Sequence, residues 1–259
     1  MKFSTCILDM DILVYKCGFS IEKYDKELDI LNVEPVVHAY YNVNSMVRSA
    51  LNRSDCDSHV GYITGSGRSN FRFDIFSDYK ANRKEARKPV YYNEIREFLQ
   101  GRWGAKVVHG QEADDACSIK QYELNPLGWD ENVHNSIIWT IDKDLNNVPG
   151  YHGNYTTGEI SYISPIEALR NFYLQILTGD TSDGIPRIKK GWKKKNAQEA
   201  IGKAETEEEM IQIVLKEIKL NTNEFEINTQ DEFVKRARLV HLRRYEGELW
   251  SIPKSNLSL

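Results

Sequence analysis

Three clusters of carboxylates set the chemistry open to this chain: Glu112-Ala113-Asp114-Asp115, Asp142-Lys143-Asp144 and Asp180-Thr181-Ser182-Asp183. Each places two or three acids within a few residues, where an apolar segment begins or ends. Seven such charges, gathered by a fold, repel one another unless cations lie among them. Divalent metal ions are the simplest cations to do so. A further acid, Asp9, follows the apolar run Phe3 to Leu8, with Asp11 two residues on. Open α/β sheets bind ligands at the carboxyl ends of their strands, although a turn aspartate reads the same way. For Glu112 to Asp115 the competing account is helix capping, because acids in a first turn are favoured by the backbone dipole.

Other metal chemistries fit less well. No D-x-[DN]-x-[DN]-G calcium loop is present. The six His residues are dispersed, and Cys6, Cys17, Cys56 and Cys117 show no C-x-x-C spacing. The cysteines read as free thiols in a reducing cytoplasm, without structural zinc.

The net charge of -4 over 259 residues hides a local imbalance. Between residues 68 and 88 lie Arg68, Arg72, Lys80, Arg83, Lys84, Arg87 and Lys88 against Asp74, Asp78 and Glu85, with Phe71, Phe73, Phe76 and Tyr79 interleaved. After Asp183, Arg187, Lys189, Lys190, Lys193, Lys194, Lys195 and Lys203 face Glu199. Basic side chains pair with phosphates and aromatic rings stack on unpaired bases; a solvated helix face with its aromatics turned inward is the alternative. The glycines of Gly65-Ser66-Gly67 lack the G-K-[ST] ending of a phosphate loop. Acids that bind metal, flanked by two basic segments, suit phosphodiester hydrolysis in a long polyanion, with a small phosphate ester as the rival substrate. Two divalent ions about 4 Å apart would activate water, neutralise the phosphate and stabilise the leaving oxygen.

The elements that must position these residues alternate. Strands are expected at Phe3 to Leu8, Val60 to Thr64, Ala105 to His109 and Ser136 to Ile141. Helices are expected near Pro35 to Leu51, Tyr91 to Gln100, Glu112 to Glu123, Ser164 to Leu177, Thr206 to Ile218 and Asp231 to Arg244. Ser164-Pro165-Ile166-Glu167 carries cap, first-turn proline and capping-box acid in order. Residues 21 to 34 read as a polar loop, and 150 to 163 as a hairpin or two edge strands. Strand, helix, strand implies parallel pairing with right-handed crossovers. No apolar run reaches the roughly 18 residues of a membrane span, and the N-terminus reads as a strand, not a signal peptide.

The order Asp9, Phe71-Arg72, Tyr79-Lys80-Ala81-Asn82-Arg83, Glu112-Ala113-Asp114-Asp115, Thr140-Ile141-Asp142-Lys143-Asp144 and Gly179-Asp180-Thr181-Ser182-Asp183-Gly184-Ile185-Pro186 resembles the 5′-nuclease superfamily of flap endonucleases and phage 5′–3′ exonucleases. The likeness covers roughly residues 5 to 200. It implies an α/β, PIN-like, mainly parallel twisted sheet flanked by helices, with a nuclease core over 1-178 that includes a basic gateway at 66-90. A helix-two-turn-helix-like region over 179-259 would bind DNA. It further implies two Mg²⁺ or Mn²⁺ ions: Asp9, Glu112, Asp114 and Asp115 at one, Asp142, Asp144 and Asp183 at the other, with Asp180 nearby. Lys80 and Arg83 would grip the scissile phosphate. Lys16, Arg68, Arg72, Arg187, Lys189, Lys190, Lys193, Lys194 and Lys195 would contact nucleic acid.

The activity so implied is a 5′–3′ exonuclease or flap endonuclease of replication or repair. It would be cytoplasmic and monomeric, acting on 5′ ends, flaps, junctions or RNA–DNA hybrids. A nuclease-weak, structure-specific DNA-binding protein is the alternative. Two departures stand out: Thr64-Gly65-Ser66-Gly67 holds no acid where the family has one after the second strand, and lysines replace the glycine-rich hairpin after Pro186.

Overall fold

Strand Thr5–Asp9 is buried along almost its whole length, which requires cover on both faces of the sheet that contains it. The computed structural model describes residues 1–67, 70–83, 86–189, 194–221 and 228–253. In chain order it begins with β1 (Thr5–Asp9), α1 (Asp11–Ser20), β2 (Glu22–Asp25), β3 (Ile30–Val33), α2 (Val36–Ser54) and β4 (Ser58–Thr64). There follow α3 (Arg72–Ile75), α4 (Tyr92–Trp103), β5 (Lys106–Val108), α5 (Ala113–Leu124), β6 (Ser136–Thr140), β7 (Gly150–Asn154) and β8 (Ile160–Ile163). The remaining helices are α6 (Pro165–Thr178), α7 (Lys194–Gly202), α8 (Glu207–Asn221) and α9 (Thr229–Val240).

The chain divides into two compact units. The first comprises Met1–Gly67, Arg87–Leu145 and Gly150–Tyr162. Its six-stranded sheet runs β5-β4-β1-β6-β7-β8, and β1 pairs in parallel with both β4 and β6. Ser136 and Trp139 lie three residues apart on β6 and so face opposite sides. Ser136 Oγ bonds Gln121 of α5, while the Trp139 indole donates to Ser54 of α2. These two helices therefore cover opposite faces, and β1 is sandwiched. The Trp139 ring lies flat enough on β7 that a Cβ at Gly153 would come within 2.4 Å of it.

The second unit comprises Arg68–Ala86, Asn146–Pro149 and Ile163–Leu259. Helix α6 starts as its sequence predicts, with Ser164 and Glu167 closing a reciprocal capping box around Pro165. It packs against α7, α8 and α9 around Tyr173, Met210, Val214, Ile218 and Phe233. The division falls at 162/163, whereas the resemblance places it at 178/179, because α6 buries its apolar stripe among the C-terminal helices. Residues 70–83 also belong to this unit.

Three further differences have physical causes. Residues 21 to 34, read as a loop, form an antiparallel β2–β3 ribbon. Its residues are half to fully exposed, so no apolar alternation marks it. No helix is expected before Pro35, yet α1 follows β1 directly and takes in Ile12 to Tyr15. Cys6 and Cys56, expected as free thiols, are joined in a disulfide with Cα atoms 6.1 Å apart, since β1 and the turn before β4 are neighbours. Cys17 and Cys117 are free and buried. Among the described residues no helix is long and apolar enough to cross a membrane.

Candidate active site

Asp9 ends β1 with 1% of its surface exposed. Its Oδ2 accepts a hydrogen bond from Thr140 Oγ1 at 2.7 Å. Its Oδ1 is buried with no hydrogen-bond partner. Burial, with Asp11 and Asp142 adding like charge, pushes its carboxyl up to about 7. Such a group is costly to ionise in a dry interior and becomes favourable once a cation approaches. Asp142 follows β6, next to β1 in the sheet. Its backbone N–H bonds Thr140 Oγ1 at 2.9 Å, and its Oδ1 accepts from Asp144 N–H at 3.0 Å. Thr140 thus ties the acids of two strand ends together.

On α5, Glu112 and Asp115 form the reciprocal capping box: the Glu112 side chain accepts from the Asp115 backbone, and Asp115 Oδ2 accepts from Glu112 N–H at 3.1 Å. The capping account of this cluster is therefore realised. It occupies one carboxylate oxygen in Asp115, which is fully buried; Asp114 projects half-exposed from the same turn. Burial first, then the fields of Asp9, Asp114, Asp11 and Asp115, push the buried Cys117 thiol up, so four acids from three elements act on one interior atom. Among the described residues no three His, Cys, Asp or Glu side chains are grouped so as to hold one ion. A hard-oxygen donor set with one orphaned buried oxygen nonetheless suits a divalent cation such as Mg²⁺, which keeps several waters and takes few protein ligands directly.

Asp180 and Asp183 lie in the second unit, after Gly179. A Cβ at Gly179 would come within 2.4 Å of the Ile185 carbonyl oxygen, so only glycine admits this tight return, closed by the Asp180–Ile185 bridge. Asp180 Oδ1 accepts from Ser182 N–H at 2.7 Å and Ser182 Oγ at 2.6 Å. Asp183 is 7% exposed and receives the Tyr79 hydroxyl at 2.9 Å, Arg83 Nη2 at 2.5 Å and Lys80 Nζ at 3.7 Å. Arg83 also donates to Ser182 O, and Asn82 to Thr181 O and Ser182 O. Lys80 takes a left-handed φ of 53° and donates its N–H to Asp183 O at 2.8 Å. The expected grip residues and the last acidic cluster are one local assembly.

The other basic positions separate clearly. Arg72, expected at nucleic acid, is 2% exposed. Its guanidinium donates to Leu239 O at 2.9 Å and His241 O at 2.7 Å, tying down the carboxyl end of α9. The side chain is thus engaged by carbonyls at the end of α9, where helix groups lack intrahelical partners. Lys16 is half-buried on α1; Arg187, Lys189 and Lys195 are exposed. Lys194 opens α7, its side chain outside the described residues, as are Arg68, Lys190 and Lys193. Sequence reasoning placed Thr140, Tyr79 and Asn82 in its motifs but did not foresee their bonds to the acidic clusters. Thr140, two residues before Asp142 at the strand end, was the legible one.

No family model matches the chain. A 5′–3′ exonuclease of Buchnera aphidicola subsp. Schizaphis graminum is 26% identical over 196 residues, 71% of this chain and 65% of that protein. The chain therefore spans just under two thirds of that relative. Among solved structures, bacteriophage T5 D15 flap endonuclease in a pseudo-enzyme–product complex with DNA and metal ions has a TM-score of 0.63 at 17% identity, covering 92% of this chain and 89% of that one. T5 5′-exonuclease with bound zinc gives 0.62 at 16%, with the same coverage. At such identities the likeness is one of fold. The chain has the fold of the T5 5′ nuclease, and its sequence resembles the 5′-nuclease superfamily.

Proposed function

We propose that this chain is a divalent-metal-dependent 5′ nuclease, a 5′–3′ exonuclease and flap endonuclease that hydrolyses phosphodiester bonds in DNA. The observation that carries the reading is Asp9: a fully buried carboxylate with an unpartnered oxygen at the end of the central strand, beside Asp11 and Asp142. The order of the acidic motifs and the 26% identical exonuclease support it.

Asp9, Glu112, Asp114 and Asp115 would hold or orient one Mg²⁺ or Mn²⁺ ion, and Asp142 and Asp144 would serve a second. Such ions, when bound, activate water and neutralise the phosphate. The chain's own part is to fix the acids. Thr140 aims Asp9 and Asp142, and the capping box fixes Glu112 and Asp115. Asp183 and Ser182 hold Arg83 and Lys80 in defined positions, from which charge can be offered to phosphate oxygens. Exposed Arg187, Lys189 and Lys195 would add salt-dependent contacts to the DNA backbone. The substrate is DNA with 5′ ends, flaps or single-strand/duplex junctions.

Thr64, standing where the family has an acid, favours a second reading, a DNA-binding protein of weak turnover. A 5′-labelled flap incubated with Mg²⁺, Mn²⁺ or EDTA separates the two: the nuclease cleaves only with metal. Asp142→Asn should lower cleavage at least a hundredfold while leaving DNA binding within about twofold, on the scale at which charge stabilisation acts in catalysis. DNA binding with no metal-dependent cleavage by the unaltered chain would overturn the proposal.

A further inference from the structure

The end of β4 carries no acid, yet it is among the most heavily bonded points of the first unit. Arg96 of α4, with 12% of its side chain exposed, donates Nη2 to the Thr64 carbonyl at 2.7 Å. Its Nη1 stands 3.6 Å from Asp11 Oδ1, and its guanidinium lies over the Tyr92 ring. The Thr64 N–H donates to both Asp11 oxygens, at 3.1 and 3.0 Å. Thr64 Oγ1 in turn accepts the Ala113 N–H at 2.9 Å. Gly65 closes the other side, donating its N–H to Val108 O at 2.7 Å. Ala113 lies between Glu112 and Asp114, so a chain of direct contacts runs from Arg96 through Thr64 and Asp11 to the acid-bearing turn of α5.

We propose that Arg96 is a positioning residue for the metal centre, acting through Thr64 and Asp11 on the first turn of α5. The inference rests on the metal-dependent reading of the acids. Two properties make arginine the fitting residue. Its planar fork reaches a carbonyl and a carboxylate at once, whereas a lysine ammonium, on a longer and looser stem, serves one partner well. It is also a permanent cation 3.6 Å from Asp11, and offsets part of the like charge that Asp11 adds beside Asp9. Thr64 then faces two ways, its backbone N–H donating to Asp11 and its hydroxyl accepting from α5.

Charge and position predict opposite signs. Deleting a cation beside an acidic site would, by charge alone, tighten binding of a divalent ion; loosening the acids weakens it. Outer-shell partners of metal ligands typically change affinity 10- to 100-fold. The decisive variant is Arg96→Lys, which keeps the charge and loses the fork. Mn²⁺ binding is measured by calorimetry and by electron paramagnetic resonance on the full chain, with thermal melts confirming that each variant is folded. Arg96→Lys and Thr64→Val should each weaken Mn²⁺ binding about tenfold, while Thr64→Ser, which keeps the hydroxyl, should bind as the unaltered chain does. The Mn²⁺ concentration for half-maximal flap cleavage should rise in step, with maximal cleavage at saturating metal largely recovered. Arg96→Lys binding Mn²⁺ like the unaltered chain, or Arg96→Met binding it more tightly, would overturn the proposal while leaving the nuclease reading standing. An unaltered chain that neither binds Mn²⁺ nor cleaves would overturn the nuclease reading itself.

Discussion

Replacing Asp9 by Asn should change stability with a sign that depends on pH. In the metal-free protein the Asp9 carboxyl is raised from 3.8 to about 7 by burial and by the neighbouring acids. At about 1.4 kcal/mol per pH unit, holding the ionised form in the folded state costs roughly 4 kcal/mol above pH 7. The sign follows from proton counting: between those two values the folded state keeps a proton that the unfolded state has lost, so stability falls as pH rises. Below pH 3.8 both states are protonated and the penalty is absent. Asn removes the ionisation but leaves a buried amide with no partner where Oδ1 stood, a cost of about 1–3 kcal/mol. The variant should therefore be more stable than the unaltered chain by roughly 2 kcal/mol at pH 8, less stable at pH 4, and equal near pH 5. Urea unfolding in EDTA across that range measures the difference, and added Mn²⁺ should erode the advantage by favouring the carboxylate. A variant less stable at pH 8, or a difference independent of pH, would refute this account of Asp9.

Two other outcomes follow from the second unit. Arg72→Met keeps the apolar volume but strips two charge-assisted bonds from the carbonyls of Leu239 and His241, and should cost about 3 kcal/mol in urea unfolding at pH 7. Glu248 is pushed up by burial but pulled down more strongly by His241 and Arg244, to about 2. Its stabilisation is complete above pH 4.5 and lost as pH falls toward 2. Glu248→Gln should be destabilised at pH 7 by at most about 2 kcal/mol, discounted because Arg244 is half in solvent, and indistinguishable from the unaltered chain at pH 2.

The strands that carry Asp9 and Asp142 were legible because burial on both faces writes a continuous apolar run. The helix starting at Ser164 was legible because its cap, proline and acid act locally. Arg72 was not: in sequence it is one of seven basic residues in a charged stretch, and the carbonyls that claim it lie 167 and 169 residues away. Thr64 was noted for what it is not, an acid. Its work, joining Asp11 to Ala113, depends on pairing between β4 and its neighbours that no local pattern encodes. Glu112 and Asp115 show a different limit. Capping and metal binding ask for the same residue type at the same place, so sequence alone leaves both open, and the reciprocal bonds show that capping is present.

Lys80 stands in a left-handed backbone conformation that side chains other than Asn, Asp and Gly adopt at a cost of about 1–2 kcal/mol. The Tyr79–Asp183 bond on one side and the Lys80 N–H to Asp183 O bond on the other hold it there. Asparagine would sit in that turn with less conformational conflict and would lose the ammonium that faces Asp183. Position 80 is thus a place where thermodynamic robustness and the charge proposed to meet phosphate are in direct trade-off, and a variant library ranked by melting temperature alone would tend to discard the lysine.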